Sequence, residues 1–126
     1  MTQVTDWFEK NKGFRGDTMW PHAVRLLHEA VELCIAAGAS SLTIQEAVLN
    51  ELAKAERSSD LTQNGVPELM AVEAADVAIN LEVLCHLYKI NLDDVKKSKM
   101  AVNNSRNWKV DRFGVLWRVL PAPGDG

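Results

Sequence analysis

The chain has 126 residues, a net charge of −3, and 47% apolar and 25% charged residues. That is one ordinary domain with enough apolar material for a core. An acidic balance excludes broad electrostatic attachment to a nucleic acid polymer, which needs a basic face to displace counterions. A small phosphorylated ligand needs only a local group of cations. The two cysteines, Cys34 and Cys85, sit in apolar surroundings and form neither a disulfide framework nor zinc spacing, so both read as buried reduced thiols. Met1-Thr2-Gln3-Val4-Thr5-Asp6 lacks the basic and apolar regions of a signal peptide, and no apolar run reaches membrane-span length. The expectation is a cytoplasmic protein with no membrane partner.

A short helix is predicted from Thr5 to Lys12, then a loop from Gly13 to Pro21 that presents Met19 and Trp20. Pro21 suits a first helical turn, and the pattern to Ala37 is helical, stopped by Gly38. Thr43-Ile44-Gln45-Glu46 reads as a capping box opening a helix to about Arg57, with Ile44, Val48 and Leu52 on one side. Ser58 to Val66 is polar, contains Asn64-Gly65 and reads as a loop. Pro67 opens the longest helix, to about Lys89, and Asn91-Leu92-Asp93-Asp94 caps another, to about Asn107. Val110 to Val119 predicts a hairpin around Gly114, and Pro121 to Gly126 a tail. The expected architecture is all-α, a single domain of four to five bundled helices (core about 21–107) with a short C-terminal β-hairpin (about 108–119).

The placement of the acids is more informative than their number. At about 100° per residue, Arg25, His28, Glu29 and Glu32 make one narrow stripe on an otherwise apolar helix. Alone, that stripe reads equally well as a solvent face. The Pro67–Lys89 helix has two polar stripes. Glu68, Glu82, His86 and Lys89 lie on one side, while Glu73, Asp76 and Asn80 lie roughly opposite, flanked by Leu69, Val77, Leu84 and Leu87. A bundle helix has one outside, so the second stripe is expected to point inward or into a cleft.

Carboxylates crowded where water is scarce repel, and either bind protons or take a cation. Glu29-x-x-Glu32 and Glu73-x-x-Asp76 each put two carboxylates on one helix face, within reach of one ion. Oxygen donors suit a hard cation, Mg²⁺ or Mn²⁺, better than zinc. A purely structural acid cluster is the competing reading. On the next helix Leu92, Val95, Lys99, Val102 and Arg106 follow core-seam spacing, with Asn103 beside them. Lys99 and Arg106 then either reach phosphate oxygens or snorkel to a wet helix end.

Glu29-x-x-Glu32 followed by Glu73-x-x-Asp76, with Asn80 one turn on, resembles the acidic signature of the MazG-like all-α NTP pyrophosphatases. The stretches from Glu73 to Asn80 and from Lys99 through Asn103 and Arg106 to Trp108 are similar to the second half of that family. The ending, Trp108 with the Gly114 hairpin, resembles the phage-type branch that includes MazZ-like dATP/dGTP pyrophosphohydrolases. His28 stands where the family often has a glutamate, which leaves it as a ligand, a substrate contact or a support for the ligands.

The resemblance implies hydrolysis of a (deoxy)nucleoside triphosphate, dGTP or dATP, to the monophosphate and pyrophosphate. As a mechanism, Glu29, Glu32, Glu73 and Asp76 would hold two or more Mg²⁺ or Mn²⁺ ions, and one of the glutamates, Glu32 foremost, would position or deprotonate the attacking water. Lys99 and Arg106 would offset charge on the departing pyrophosphate, and Asn80 could contact the sugar or an acid ligand. Asn103 and His28 complete the substrate contacts, and Trp20 or Trp108 could stack on the base, with core packing the competing fate of either ring. A homodimer or homotetramer is implied, and in the MazZ-like branch dGMP feeds synthesis of modified phage DNA.

Two other classes compete. A non-catalytic helical oligomeric interaction module explains the apolar helices but not the second stripe. A pyrophosphatase for another (d)NTP, in nucleotide-pool sanitation, shares the site and differs in the base pocket. A di-iron bundle would need Glu-x-x-His pairs, and a P-loop enzyme its Gly-rich Lys-Ser/Thr motif; the sequence has neither.

Overall fold

A computed structural model describes residues 2–58 and 65–120. Among them are five helices, α1 (Gln3–Lys10), α2 (Trp20–Ala36), α3 (Ser41–Ser58), α4 (Pro67–Leu87) and α5 (Leu92–Asn104), then strands β1 (Trp108–Val110) and β2 (Leu116–Arg118). The chain is thus mostly helical with a C-terminal hairpin. Most of the expected 58–66 loop, and the tail from Pro121, lie outside the described residues. No helix among the described residues is long and apolar enough to cross a membrane. The chain divides into two compact units, Met1–Asp17 with Val66–Gly126, and Thr18–Gly65.

The Thr18–Gly65 unit is the helix pair α2 and α3, which contact one another. Pro21 occupies the first turn of α2, where its missing N–H costs nothing. At the other end Gly38 takes φ +95°, Gly38 N–H donates to Ile35 O (3.0 Å), and Ala39 N–H donates to Cys34 O (3.0 Å). These are the two bonds of a Schellman cap, and the left-handed residue between them favours glycine.

The expected Thr43–Glu46 capping box is corrected by one turn. Ser40 is the cap: its Oγ accepts the Thr43 N–H (3.1 Å), and its carbonyl accepts the Ile44 N–H (3.1 Å). The Thr43 hydroxyl is occupied in accepting from Ser40 Oγ (2.9 Å), so it lies inside the first turn. The Ser40 hydroxyl satisfies a backbone donor of the first turn that would otherwise be orphaned. Cys34 is exposed and only Cys85 is buried, which corrects the expectation that both thiols are covered.

In the other unit α1 begins two residues earlier than expected. Thr2 and Thr5 form a reciprocal capping box, Thr5 N–H to Thr2 Oγ1 (3.1 Å) and Thr2 N–H to Thr5 Oγ1 (2.8 Å). Helix α1 packs on α5, and the Trp7 ring meets Trp108 edge-on at 4.8 Å and 85°. The face of α5 that turns inward carries Met100, which is buried, and Asn103, half-buried. Val95 and Val102, on the expected core seam, are exposed instead. The seam expectation is therefore corrected: α1 covers α5 on a neighbouring face. Helix α5 also stops at Asn104, because Trp108 Nε1–H takes the Asn103 carbonyl (2.9 Å) and turns the chain into β1. Arg106 consequently lies beyond the helix.

Strands β1 and β2 pair antiparallel, Trp108 with Arg118, Lys109 with Trp117 and Val110 with Leu116. Asp111 holds the connection. Its Oδ1 accepts Phe113 N–H (2.8 Å) and Val115 N–H (3.1 Å), and its Oδ2 accepts Trp117 Nε1–H (2.8 Å). Gly114 sits at φ +86°, and a Cβ there would run into the Phe14 carbonyl oxygen. Val115 and Leu116 are buried beneath this turn.

Two expectations follow. Asp111→Ala strands three donors and lowers unfolding free energy by about 2–3 kcal/mol, read from urea unfolding followed by tryptophan fluorescence. Ser40→Ala lowers it by about 1 kcal/mol while Thr43→Ala costs less; the reverse order would restore the Thr43 cap.

Candidate functional site

The acidic pairs lie one in each unit. On α2, Glu29 and Glu32 are exposed on the same face, as is His28. Arg25 Nη1 donates to Glu29 Oε1 at 2.7 Å, an i, i+4 pair that engages one of the four expected ligands. Trp20 begins α2 and is 53% exposed.

On α4 the two polar stripes are where the periodicity placed them, and both are exposed. Glu73, Asp76 and Asn80 line one; Glu68, Glu82 and His86 line the other. The expectation that the first stripe turns inward is not met within this unit, because α4 takes no part in the main contacts between elements. The Asn80 side chain donates back to the Asp76 backbone carbonyl (2.8 Å), one turn earlier, which ties the amide to its own helix. Among the described residues, neither Glu73 nor Asp76 is ion-paired with a cationic side chain.

Within either unit, no three His, Cys, Asp or Glu side chains among the described residues group so as to hold a metal ion. Each unit supplies two of the four expected carboxylates, so neither contains the expected ligand set by itself. The chemistry of the donors still fits a hard divalent cation: paired, exposed carboxylates at i, i+3, with an amide oxygen donor one turn away.

The expected phosphate and base contacts divide differently. Lys99 is exposed on α5, Arg106 is half-buried past its end, and Asn103 is half-buried with its Nδ2 3.9 Å from Met100 Sδ. Asn103 Oδ1 is buried without a hydrogen-bond partner. Trp108 is half-buried, with its ring against Trp7 and its N–H on the Asn103 carbonyl, the arrangement of a packing residue.

Sequence reasoning assigned nothing to the turn between α4 and α5, where the structure has an open cavity of about 580 Å³ lined by Leu81, Glu82, Cys85, His86, Asn91 and Asp93 among others. Glu82 and His86 were legible as a wet stripe. Their approach to Asn91 and Asp93 depends on the left-handed turn at Lys89 (φ +56°), closed by Ile90 N–H to Cys85 O (2.8 Å). A lysine in that conformation carries no sequence signal comparable to glycine.

Compared with family models, curated proteins and solved structures, the chain matches none.

The thiols provide a check on α2 and α4. With a chromogenic thiol reagent, Cys34 should titrate at once and Cys85 only on addition of denaturant. Two fast thiols would mean that the α4–α5 corner does not cover Cys85.

Proposed function

We propose that the chain is a metal-dependent nucleoside triphosphate pyrophosphohydrolase of MazG-like type, with dGTP or dATP as substrate, acting in the cytoplasm. The observation that carries this reading is the pair of polar stripes on α4. One stripe suffices to wet a helix, and the second bears Glu73, Asp76 and Asn80 between two apolar faces. The resemblance of the Glu-x-x-Glu and Glu-x-x-Asp pairs to the family signature supports it further.

In this reading Glu29, Glu32, Glu73 and Asp76 would hold two or more Mg²⁺ or Mn²⁺ ions, which would offset triphosphate charge and acidify a water. Glu32 would position the attacking water or take its proton as the water oxygen bonds to the α-phosphorus. The bond from the α-phosphorus to the bridging oxygen breaks, and pyrophosphate leaves with the electron pair. Lys99 and Arg106 balance the charge on the leaving group. Arg25 engages Oε1 of Glu29, and a carboxylate with one oxygen so engaged keeps lone pairs for an ion. Asn80 contacts the sugar or orients Asp76.

The test is incubation of the protein with each NTP and dNTP plus Mn²⁺ and chromatography of the products. Monophosphate and pyrophosphate are expected, fastest from dGTP or dATP. Glu73→Gln and Asp76→Asn should each abolish turnover with the helical CD spectrum intact. Persistent turnover in either variant would refute the ligand roles.

A second reading, a non-catalytic helical interaction module, is favoured by the many exposed apolar side chains on α2, α3 and α4. It predicts no nucleotide turnover and no rise in melting temperature with Mn²⁺ and nucleotide, whereas binding to the folded state must raise it.

A further inference from the structure

Helix α1 is closed at both ends by its own residues. Thr2 and Thr5 cap its start. Its end is a second Schellman turn, in which Gly13 N–H donates to Phe8 O (2.8 Å), Lys12 N–H donates to Glu9 O (2.9 Å), and Lys12 lies at φ +66°. The chain is then anchored at Phe14, whose N–H reaches the Gly114 carbonyl (3.2 Å). Closed ends and a fixed next residue let α1 move as one piece about the Gly13 turn.

Trp7 and Phe8, both half-buried, are the aromatic side chains that α1 lays against the rest of its unit. The seam with α5 leaves polar atoms unpaired. Among the described residues, Trp7 Nε1 and Asn103 Oδ1 are buried without a hydrogen-bond partner. The first is a donor on α1 and the second an acceptor on α5. Both adjoin Trp108, whose ring meets Trp7 at 4.8 Å and whose N–H takes the Asn103 carbonyl. A buried polar atom that has given up water for no partner works against the contact that buries it, so α1 docks at a penalty on both sides.

We propose that α1 is a displaceable strap over the nucleotide site. The base of the substrate takes the place of Trp7 against the Trp108 ring and donates an N–H to Asn103 Oδ1, and it enters only when α1 has left. The inference rests on the proposed function, with Asn103 and Trp108 as substrate contacts. A planar base restores the aromatic contact on Trp108 and supplies the donor that Asn103 lacks, while the Trp7 N–H returns to water. Apparent affinity is then the intrinsic affinity scaled by the fraction of molecules with α1 undocked.

Two substitutions outside the site raise that fraction by different routes. A methyl at Gly13 runs into the Phe8 ring, and Trp7→Ala removes the ring that rests on Trp108. With Mn²⁺, Gly13→Ala and Trp7→Ala should each lower KM for dGTP about threefold while kcat is unchanged. A helix with a structural role only gives a lower melting temperature and no fall in KM, which overturns the strap. Hydrogen exchange of the full chain gives a readout apart from turnover. Amides of α1 should exchange about tenfold or more faster than those of α5, and faster still with α,β-imido dGTP and Mn²⁺. Protection of α1 equal to that of α5, as when an ordered water ties Trp7 to Asn103, defeats the inference, as does an α1 that the nucleotide protects. If no nucleotide is bound or cleaved, the proposed function fails and the exchange of base for Trp7 fails with it. Turnover with a KM indifferent to both variants sinks the strap alone.

Discussion

A helix can satisfy water on one side and a core on the other, but α4 alternates twice around its circumference. Polar side chains at Glu68, Glu82 and His86 and at Glu73, Asp76 and Asn80 separate two apolar faces. Burying either apolar face leaves the other in water, where each large aliphatic side chain forgoes roughly 1.5–3 kcal/mol of burial. Leu81 and Cys85 meet that demand at the α4–α5 corner, while Val72, Ile79 and Val83 stay exposed among the described residues.

The rest of the chain is held by short-range polar ties more than by a large core. The buried apolar set among the described residues is Cys85, Met100, Val115 and Leu116. Three of these lie where α5 and the hairpin meet α1 and the loop after it. There the Asp111 carboxylate gathers three donors, and Phe14 N–H reaches the Gly114 carbonyl (3.2 Å). Gly114 is the residue that allows such close backbone approach. The helices are closed by their own ends, Thr2 and Ser40 at N-termini and left-handed residues Lys12, Gly38 and Lys89 at C-termini. Caps of this kind define an element's limits before any tertiary partner arrives, and they account for well-formed helices whose apolar faces remain exposed.

The candidate site has the same character. Its carboxylates come as i, i+3 pairs because a helix puts such residues on one face, and Asn80 joins Asp76 through a bond within one turn. In the proposed function the Glu73–Asp76 stripe supplies oxygen donors for divalent cations. The Arg25–Glu29 pair on α2 adds a cation beside one expected ligand, a detail that spacing permits but does not specify.

By itself the sequence determined the helix-rich class, the C-terminal hairpin around Gly114, the Gly38 stop, the Asn91 cap and the stripes on α2 and α4. Each of these depends on residues within about one turn of each other, or on a repeat of 3.6, and so is written locally. Tertiary structure decided that α5 turns Met100 inward instead of its Leu92–Arg106 seam, and that Trp108 is spent on Trp7 and the Asn103 carbonyl. It also decided that Cys34 is exposed while Cys85 is covered. These outcomes depend on which surfaces from distant parts of the chain arrive together, and hydrophobic burial is non-directional, so periodicity offers several acceptable faces and only the arriving neighbour selects one.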